Sequence, residues 1–329
     1  MLKARVLELE KALDQLIVVG GRTFYAMAST DARYQEFAQD HGAYLDGVAK
    51  LYTVVQDALN AAVDGDNVKV FAKDMAAGDT DPASWAETLT IAAGKSKVVL
   101  EGVSDNLTQG GLPQIKKGSG STALLTIQAP GCLIKNLGFN GTGSTGGGIL
   151  LDDDGSTKSA FGTTITGCHF KNCVGSTATN AATGGAIQWA ATGGAWQVRI
   201  KGNVFYKNVG DIVLKGTTGS VPQDVVIEDN IFSGPATSVD CNLYLAGGSG
   251  MSSVTVRNNI FPSVLPALAS GSVVRYADLT GCTGIFTNNY FGGIYTTTGF
   301  GAAKAAAKIP TTVGMPHNYS DSGLIVREA

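Results

Sequence analysis

The sequence predicts an all-β chain wound as a right-handed parallel β-helix, with a short α-helical N-terminal stem and a capping helix at its entry. Three observations predict it. A strand–turn–aromatic phrase returns as VVIEDNIFSG at 225–234, VTVRNNIFPS at 254–263 and GIFTNNYFGG at 284–293. The aromatics Phe139, Phe170, Phe205, Phe232, Phe261 and Phe291 fall 31, 35, 27, 29 and 30 residues apart. Glycine occupies 44 of 329 positions, which suits many tight turns between short strands. Strand repeats of this period bury a core only by stacking, as coils of a solenoid. A β-propeller needs longer blades, of about 40–45 residues.

Taken in order, residues 1–19 carry Leu2, Val6, Leu9, Leu13 and Leu16 at spacings of 4, 3, 4 and 3, an a/d seam. The seam fits an oligomerising or attaching stem, and equally an amphipathic helix docked on its own body, since two heptads are too short to associate alone. Residues 20–64 read as a partly helical linker followed by a capping helix. Phe24, Tyr25, Tyr34, Phe37, Tyr44 and Leu45 make its first part adhesive, able to reach a neighbouring subunit. In YTVVQDALNAAVDGDNVKVFAKD at 52–74, Val54, Val55, Ala58, Ala61 and Ala62 form a helical apolar stripe that Gly65 ends. An open solenoid end exposes core and unpaired backbone, and this helix can cover it.

Residues 65–293 form the solenoid. Five positions before each ruler aromatic stand Ile134, Ile165, Ile200, Ile227, Val256 and Phe286, while the position after each of these is mostly polar. That alternation is a strand with one buried face. Two positions before the aromatic stand Leu137, Cys168, Asn203, Asn230, Asn259 and Asn289. Asparagine suits a left-handed bend and can also stack amide on amide from coil to coil. Four positions before, Lys135, Thr166, Lys201, Glu228, Arg257 and Thr287 form an outward column, which sets Glu228 between Lys201 and Arg257. Second strands lie between corners, at 147–152, 185–190, 211–216, 242–247 and 272–277. Residues 294–329 leave the ruler as a cap or tail, with GAAKAAAK as a helical turn or linker and LIV as a closing strand.

ALNAAVDGDNVKV, VVLEGVSDN at 98–106 and the N-x-F coils resemble the pectate-lyase-like β-helix superfamily, most of all the structural and spike proteins of bacteriophages. The likeness spans roughly residues 52–293 and specifies architecture far better than activity. It implies a fold shared by polysaccharide lyases, hydrolases and phage spikes, and a homo-oligomer with a trimer favoured.

Chemistry is thinly signalled. Charged residues make up 16% of the chain and net charge is −3, so no basic surface marks nucleic acid. No stretch reads as a membrane span or signal peptide. Cys132, Cys168, Cys173, Cys241 and Cys282 lack paired spacing and read as buried small hydrophobes in a reducing cytoplasm. No cofactor, metal or catalytic residue is assigned. Asp152–Asp154 is the one dense acidic cluster and reads as a solvated turn ahead of a calcium site. Asp211, Asp224, Asp229, Asp240 and Asp278 are the other acids that could pair with it or with Glu228 for glycoside hydrolysis. The superfamily's hydrolase signatures, such as a Gly-His-Gly or Arg-Ile-Lys triplet, are read as absent, and so is its lyases' WiDH-like motif. Trp189 and Trp196, bracketing AATGGA, are candidate glycan contacts, against the plainer reading that they seal a loop.

Three functions follow in order. The first is a virion structural protein, a capsid decoration, spike or tail-fibre component assembled in host cytoplasm, which contacts other virion proteins through its N-terminus and reaches surface polysaccharide. The second is a polysaccharide lyase or hydrolase, and the third a non-catalytic glycan-binding adhesin.

Overall fold

A computed structural model describes residues 21–41, 49–74, 83–103, 111–155, 159–174, 185–192, 195–214, 222–233, 242–245, 252–261, 274–292, 305–321 and 323–325. The stem residues Leu2, Val6, Leu9, Leu13 and Leu16, and also Tyr44, Leu45 and Cys241, lie outside them.

Each coil lays down three strands, and successive coils stack them into three sheets. Sheet I has eleven strands, sheet II nine and sheet III eight among the described residues, all parallel except the last strand of sheet II. One coil shows the pattern: Val226–Glu228 in sheet I, Ile231–Ser233 in sheet II and Leu243–Tyr244 in sheet III. The chain is a parallel β-helix.

The interior is a set of files running down the axis. Phe139, Phe170, Phe205 and Phe232 are register partners. Through Phe261 and Phe291, neighbouring rings stack with centroids 5.1, 5.1, 5.1, 4.8 and 4.6 Å apart. Ile134, Ile165, Ile200, Ile227, Val256 and Phe286 make a second buried file. Each side chain meets its own kind one coil away, the arrangement that alternation with a thirty-residue period demands.

The asparagine column divides its two expected tasks between adjacent positions. Asn203, Asn230, Asn259, Asn289 and Asn318 are fully buried. Each Oδ1 from Asn230 onward accepts both the backbone N–H and the Nδ2 of the preceding asparagine, at 3.0 Å throughout. The amide ladder therefore exists, but the bend belongs to the residue before it. Asn136, Gly167, Gly202, Asp229, Asn258, Asn288 and His317 hold φ between 54° and 63°. A side chain turned inward to bond along the axis leaves the left-handed turn to its neighbour, where Asn, Asp and Gly strain least.

At the entry, α1 spans Tyr34–His41 and α2 spans Val55–Ala61. Helix α2 buries Val55, Ala58 and Leu59 against Thr23–Ala26 and Leu89–Ile91, covering the open end. The next coil satisfies both of its ends. The Glu87 carboxylate accepts the N–H groups of Val55 (3.1 Å) and Gln56 (2.9 Å), and Lys95 Nζ donates to the carbonyls of Asn60 (2.8 Å) and Ala62. An acid at the N-terminus and a base at the C-terminus oppose the helix dipole.

The solenoid extends past 65–293 at both ends. Thr23–Ala26 is a sheet I strand lodged between Leu51–Tyr52 and Asn67–Phe71, so Phe24 lies in this chain's own core. Phe37 of α1 packs edge-on against Tyr25 and Phe71, at 5.0 and 5.1 Å. Phe24, Tyr25 and Phe37 thus pack on this chain's own first coils. At the other end Ala305–Lys308 is a strand of sheet III where a helical turn or linker was expected. Val313–Gly314 and Asn318–Ser320 complete a coil, and Gly323–Ile325 closes sheet II antiparallel, the closing strand expected from LIV.

Candidate functional site on the outer face of sheet I

The outward column of sheet I follows the expected register. Lys201 pairs with Glu228, and Glu228 with Arg257. Arg257 Nη2 lies 2.6 Å from Glu228 Oε2, and three coils earlier Lys135 Nζ lies 2.8 Å from Glu101 Oε1. Exposed pairs like these contribute under about 1 kcal/mol each. Their consequence is for what remains. Both glutamates of the face are engaged, and between the two pairs stands a stretch with cations and no acid.

That stretch is Thr164–Thr166 and Arg199–Lys201, adjacent strands of sheet I. Strand alternation turns Ile165 and Ile200 inward and sets Thr164, Thr166, Arg199 and Lys201 on the outer face. The side chains of Arg199 and Lys201 are exposed and make no hydrogen bond or ion pair among the described residues. Arg199-Ile200-Lys201 is an Arg-Ile-Lys triplet, which corrects the sequence reading that this triplet is absent.

The corner leading into these strands is aromatic. The Gly131 N–H donates to the Phe161 carbonyl and the Gly162 N–H to the Trp196 carbonyl, so the two residues occupy the same place on successive coils. Trp196 is 52% exposed and Phe161 37%. A large exposed aromatic costs solubility and signals an interacting surface when a second lies beside it. Here the pair borders the strand that carries Arg199 and Lys201.

Trp189, the other candidate glycan contact, is 3% exposed and belongs to the core cluster. It pairs in register with Leu151 in sheet III and has the inward parity of Ile187, so a glycan cannot reach it. Phe161 is the partner that sequence reading missed. The signal was its place one coil below Trp196, visible only once the corners are aligned.

The acids are dispersed. Asp153 accepts backbone N–H groups from Gly155 and Thr192, which hold its carboxyl below the usual range and leave it structural. Among the described residues no cluster of His, Cys, Asp or Glu fits a metal. Asp211 is buried, with its carboxylate accepting from Asn208 Nδ2 at 3.0 Å and Asn242 Nδ2 at 2.6 Å. Burial pushes its pKa up to about 7 from 3.8, against those two hydrogen bonds. The thiols of Cys132, Cys168, Cys173 and Cys282 are buried and pushed up to about 12 by desolvation, which makes them inert apolar filler.

Asp211 sets a pH dependence. Its folded pKa lies above the unfolded one, so the native chain binds the extra proton. Its contribution to stability is complete below pH 3.8 and is lost as pH rises to about 7. The loss amounts to at most about 4 kcal/mol. Urea unfolding across this window is expected to show a negative slope that Asp211→Asn flattens. An unchanged slope in the variant refutes the assignment.

Comparison with known protein families finds no match, and none of the curated proteins matches. Among solved structures the chain is similar to the PL6 family alginate lyase AlyGC, at 13% identity and a TM-score of 0.44, over 81% of this chain and 37% of that one. An arginine-to-alanine variant of the same lyase matches at 14% identity and a TM-score of 0.40, over 82% and 37%. The chain thus spans little more than a third of the length of the structures it matches, and the likeness is one of fold.

Proposed function

We propose that the protein binds an acidic polysaccharide along the outer face of sheet I. The observation that supports this reading is Trp196 and Phe161 exposed on successive corners beside two cations, Arg199 and Lys201, that no acid engages. Aromatic faces stack on the apolar faces of sugar rings, and a guanidinium grips a carboxylate through two parallel hydrogen bonds. The chain's overall charge is −3, so the attraction is local to this face.

Hydrolysis fits the residues poorly. It uses two carboxylates at a set separation across the scissile bond. On this face Glu101 and Glu228 are held in ion pairs, and Asp211, at the start of a sheet III strand, is buried. Elimination from a uronate needs a cation to hold the carboxylate and a base for the neighbouring proton. Arg199 and Lys201, both cationic, suit the first role.

A polyuronate is expected to bind wild type and to lose at least about tenfold in affinity with Arg199→Ala/Lys201→Ala, the worth of one charge-assisted contact. Trp196→Ala is expected to weaken acidic and neutral glycans alike. Ultraviolet absorbance of an unsaturated product reads any cleavage. Equal binding by the double variant, with its circular dichroism unchanged, rules the site out. A virion appendage that attaches through surface glycan would use this same face, and electron microscopy of particles labelled with antibody to this chain distinguishes it from a free protein.

A further inference from the structure

The face that carries Trp196 advances in equal steps. Each coil sets one corner residue and then outward side chains three and five positions later, and strand register lines these up in files along the axis. The corner file runs Pro130, Phe161, Trp196 and Gln223, each carbonyl accepting an N–H from the coil before. One step is about 4.8 Å, close to the length that one pyranose unit adds to an extended glycan. A glycan lying parallel to the axis therefore meets one coil per sugar. A glycan lying across the strands would cover Trp196 or Phe161, not both.

The coils differ in what they offer each sugar. The Trp196 coil gives a ring and two unengaged cations, Arg199 and Lys201. The Phe161 coil gives a ring and the half-buried hydroxyls of Thr164 and Thr166, which make no hydrogen bond among the described residues. No cation is left over for it, because its neighbour Lys135 is held by Glu101 at 2.8 Å. On the other side of the Trp196 coil, the corner file loses its ring at Gln223 and the outward file turns acidic at Glu228. Among these coils, the place for an acidic sugar is thus confined to one, with a neutral subsite on one flank and an acid on the other.

We infer that the site takes a heteropolysaccharide in which an acidic sugar adjoins a neutral one, the acidic ring over Trp196 and the neutral ring over Phe161. This rests on the polysaccharide reading of the face and adds to it the order of charge along the ligand. In a polymer acidic at every sugar, the second carboxylate has two places to go. Over Phe161 it meets only the neutral hydroxyls of Thr164 and Thr166, whose hydrogen bonds are weaker than those of a cation. Over Gln223 it lies beside Glu228, whose partner Arg257 is one coil farther away. In a neutral glycan both rings still stack, but Arg199 and Lys201 go unused.

The test uses the full chain and polygalacturonate at rising degrees of methyl esterification, which changes the spacing of charge and keeps the linkage. Adjacent acidic–neutral pairs are most numerous near half esterification, so affinity is expected to pass through a maximum there. Thr166→Lys gives the Phe161 coil a cation of its own. It is expected to tighten binding of the unesterified polymer about threefold, the worth of one exposed ion pair, and to move the maximum toward that polymer. Thr164→Arg repeats the gain at a second position in case the first variant fails to fold. Phe161→Ala is expected to weaken binding of the half-esterified polymer about as much as Trp196→Ala does. A wild-type affinity that falls steadily with esterification overturns the inference, and so does a Phe161→Ala variant that binds like wild type. If either result comes while Arg199→Ala/Lys201→Ala still weakens binding, the polysaccharide face stands and only the order of charge is lost. Absence of binding to every polymer in the series removes both.

Discussion

Asn259→Ala is expected to lower the free energy of unfolding by about 3–5 kcal/mol, far beyond the cost of an ordinary polar-to-alanine change. The reason is the number of groups one side chain serves. Asn259 Oδ1 accepts the Asn230 N–H and Nδ2, and its own Nδ2 reaches the Ile227 carbonyl at 3.1 Å and Asn289 Oδ1 at 3.0 Å. All of these lie in a corner that water does not enter. Removing the amide orphans the Asn230 N–H, leaves Asn230 Nδ2 with the Ile200 carbonyl alone and takes a donor from three acceptors, at about 1–3 kcal/mol for each group left unpaired. Asn259→Asp is expected to be little better, since it keeps the acceptor but adds a buried charge. Urea unfolding measures both, and a loss under about 1 kcal/mol shows that the ladder is not what holds the corner.

Phe205→Ala is expected to cost about 3–5 kcal/mol, and Phe205→Leu less than half of that. The ring is sandwiched between Phe170 and Phe232 at 5.1 Å on either side. Its coil cannot collapse into the gap, because strand register on both sides and the adjacent asparagine ladder fix the spacing. The vacancy therefore persists as a cavity, the costly case. Thermal unfolding of the series Phe, Leu, Ala reads the gradient. Equal stability of the Leu and Ala variants shows that the file relaxes freely.

The solenoid was legible because its determinants are local and periodic. The phenylalanine file, the buried isoleucine column and the salt-bridged Glu228–Arg257 pair each follow from counting along the chain. Determinants that depend on distant segments were not legible. Thr23–Ala26 looked like adhesive linker because its partners Leu51–Tyr52 and Asn67–Phe71 are remote in sequence. Ala305–Lys308 is alanine-rich, and propensity alone reads helix until Val274–Asp278 offers it an edge. Trp189 and Trp196 are seven residues apart in one bracketed segment, yet the first is in a strand with inward parity and the second is at a corner. The site was the least legible part. Arg199 and Lys201 become a pair with Phe161 only after two coils are laid side by side.

The measurement that bears most directly on the polysaccharide face is hydrogen exchange with and without a saturating polyuronate. Protection is expected to concentrate at residues 161–166 and 196–201, while the late coils of sheet II stay unchanged. Protection confined to another face, or none under conditions where binding is independently seen, contradicts the assignment.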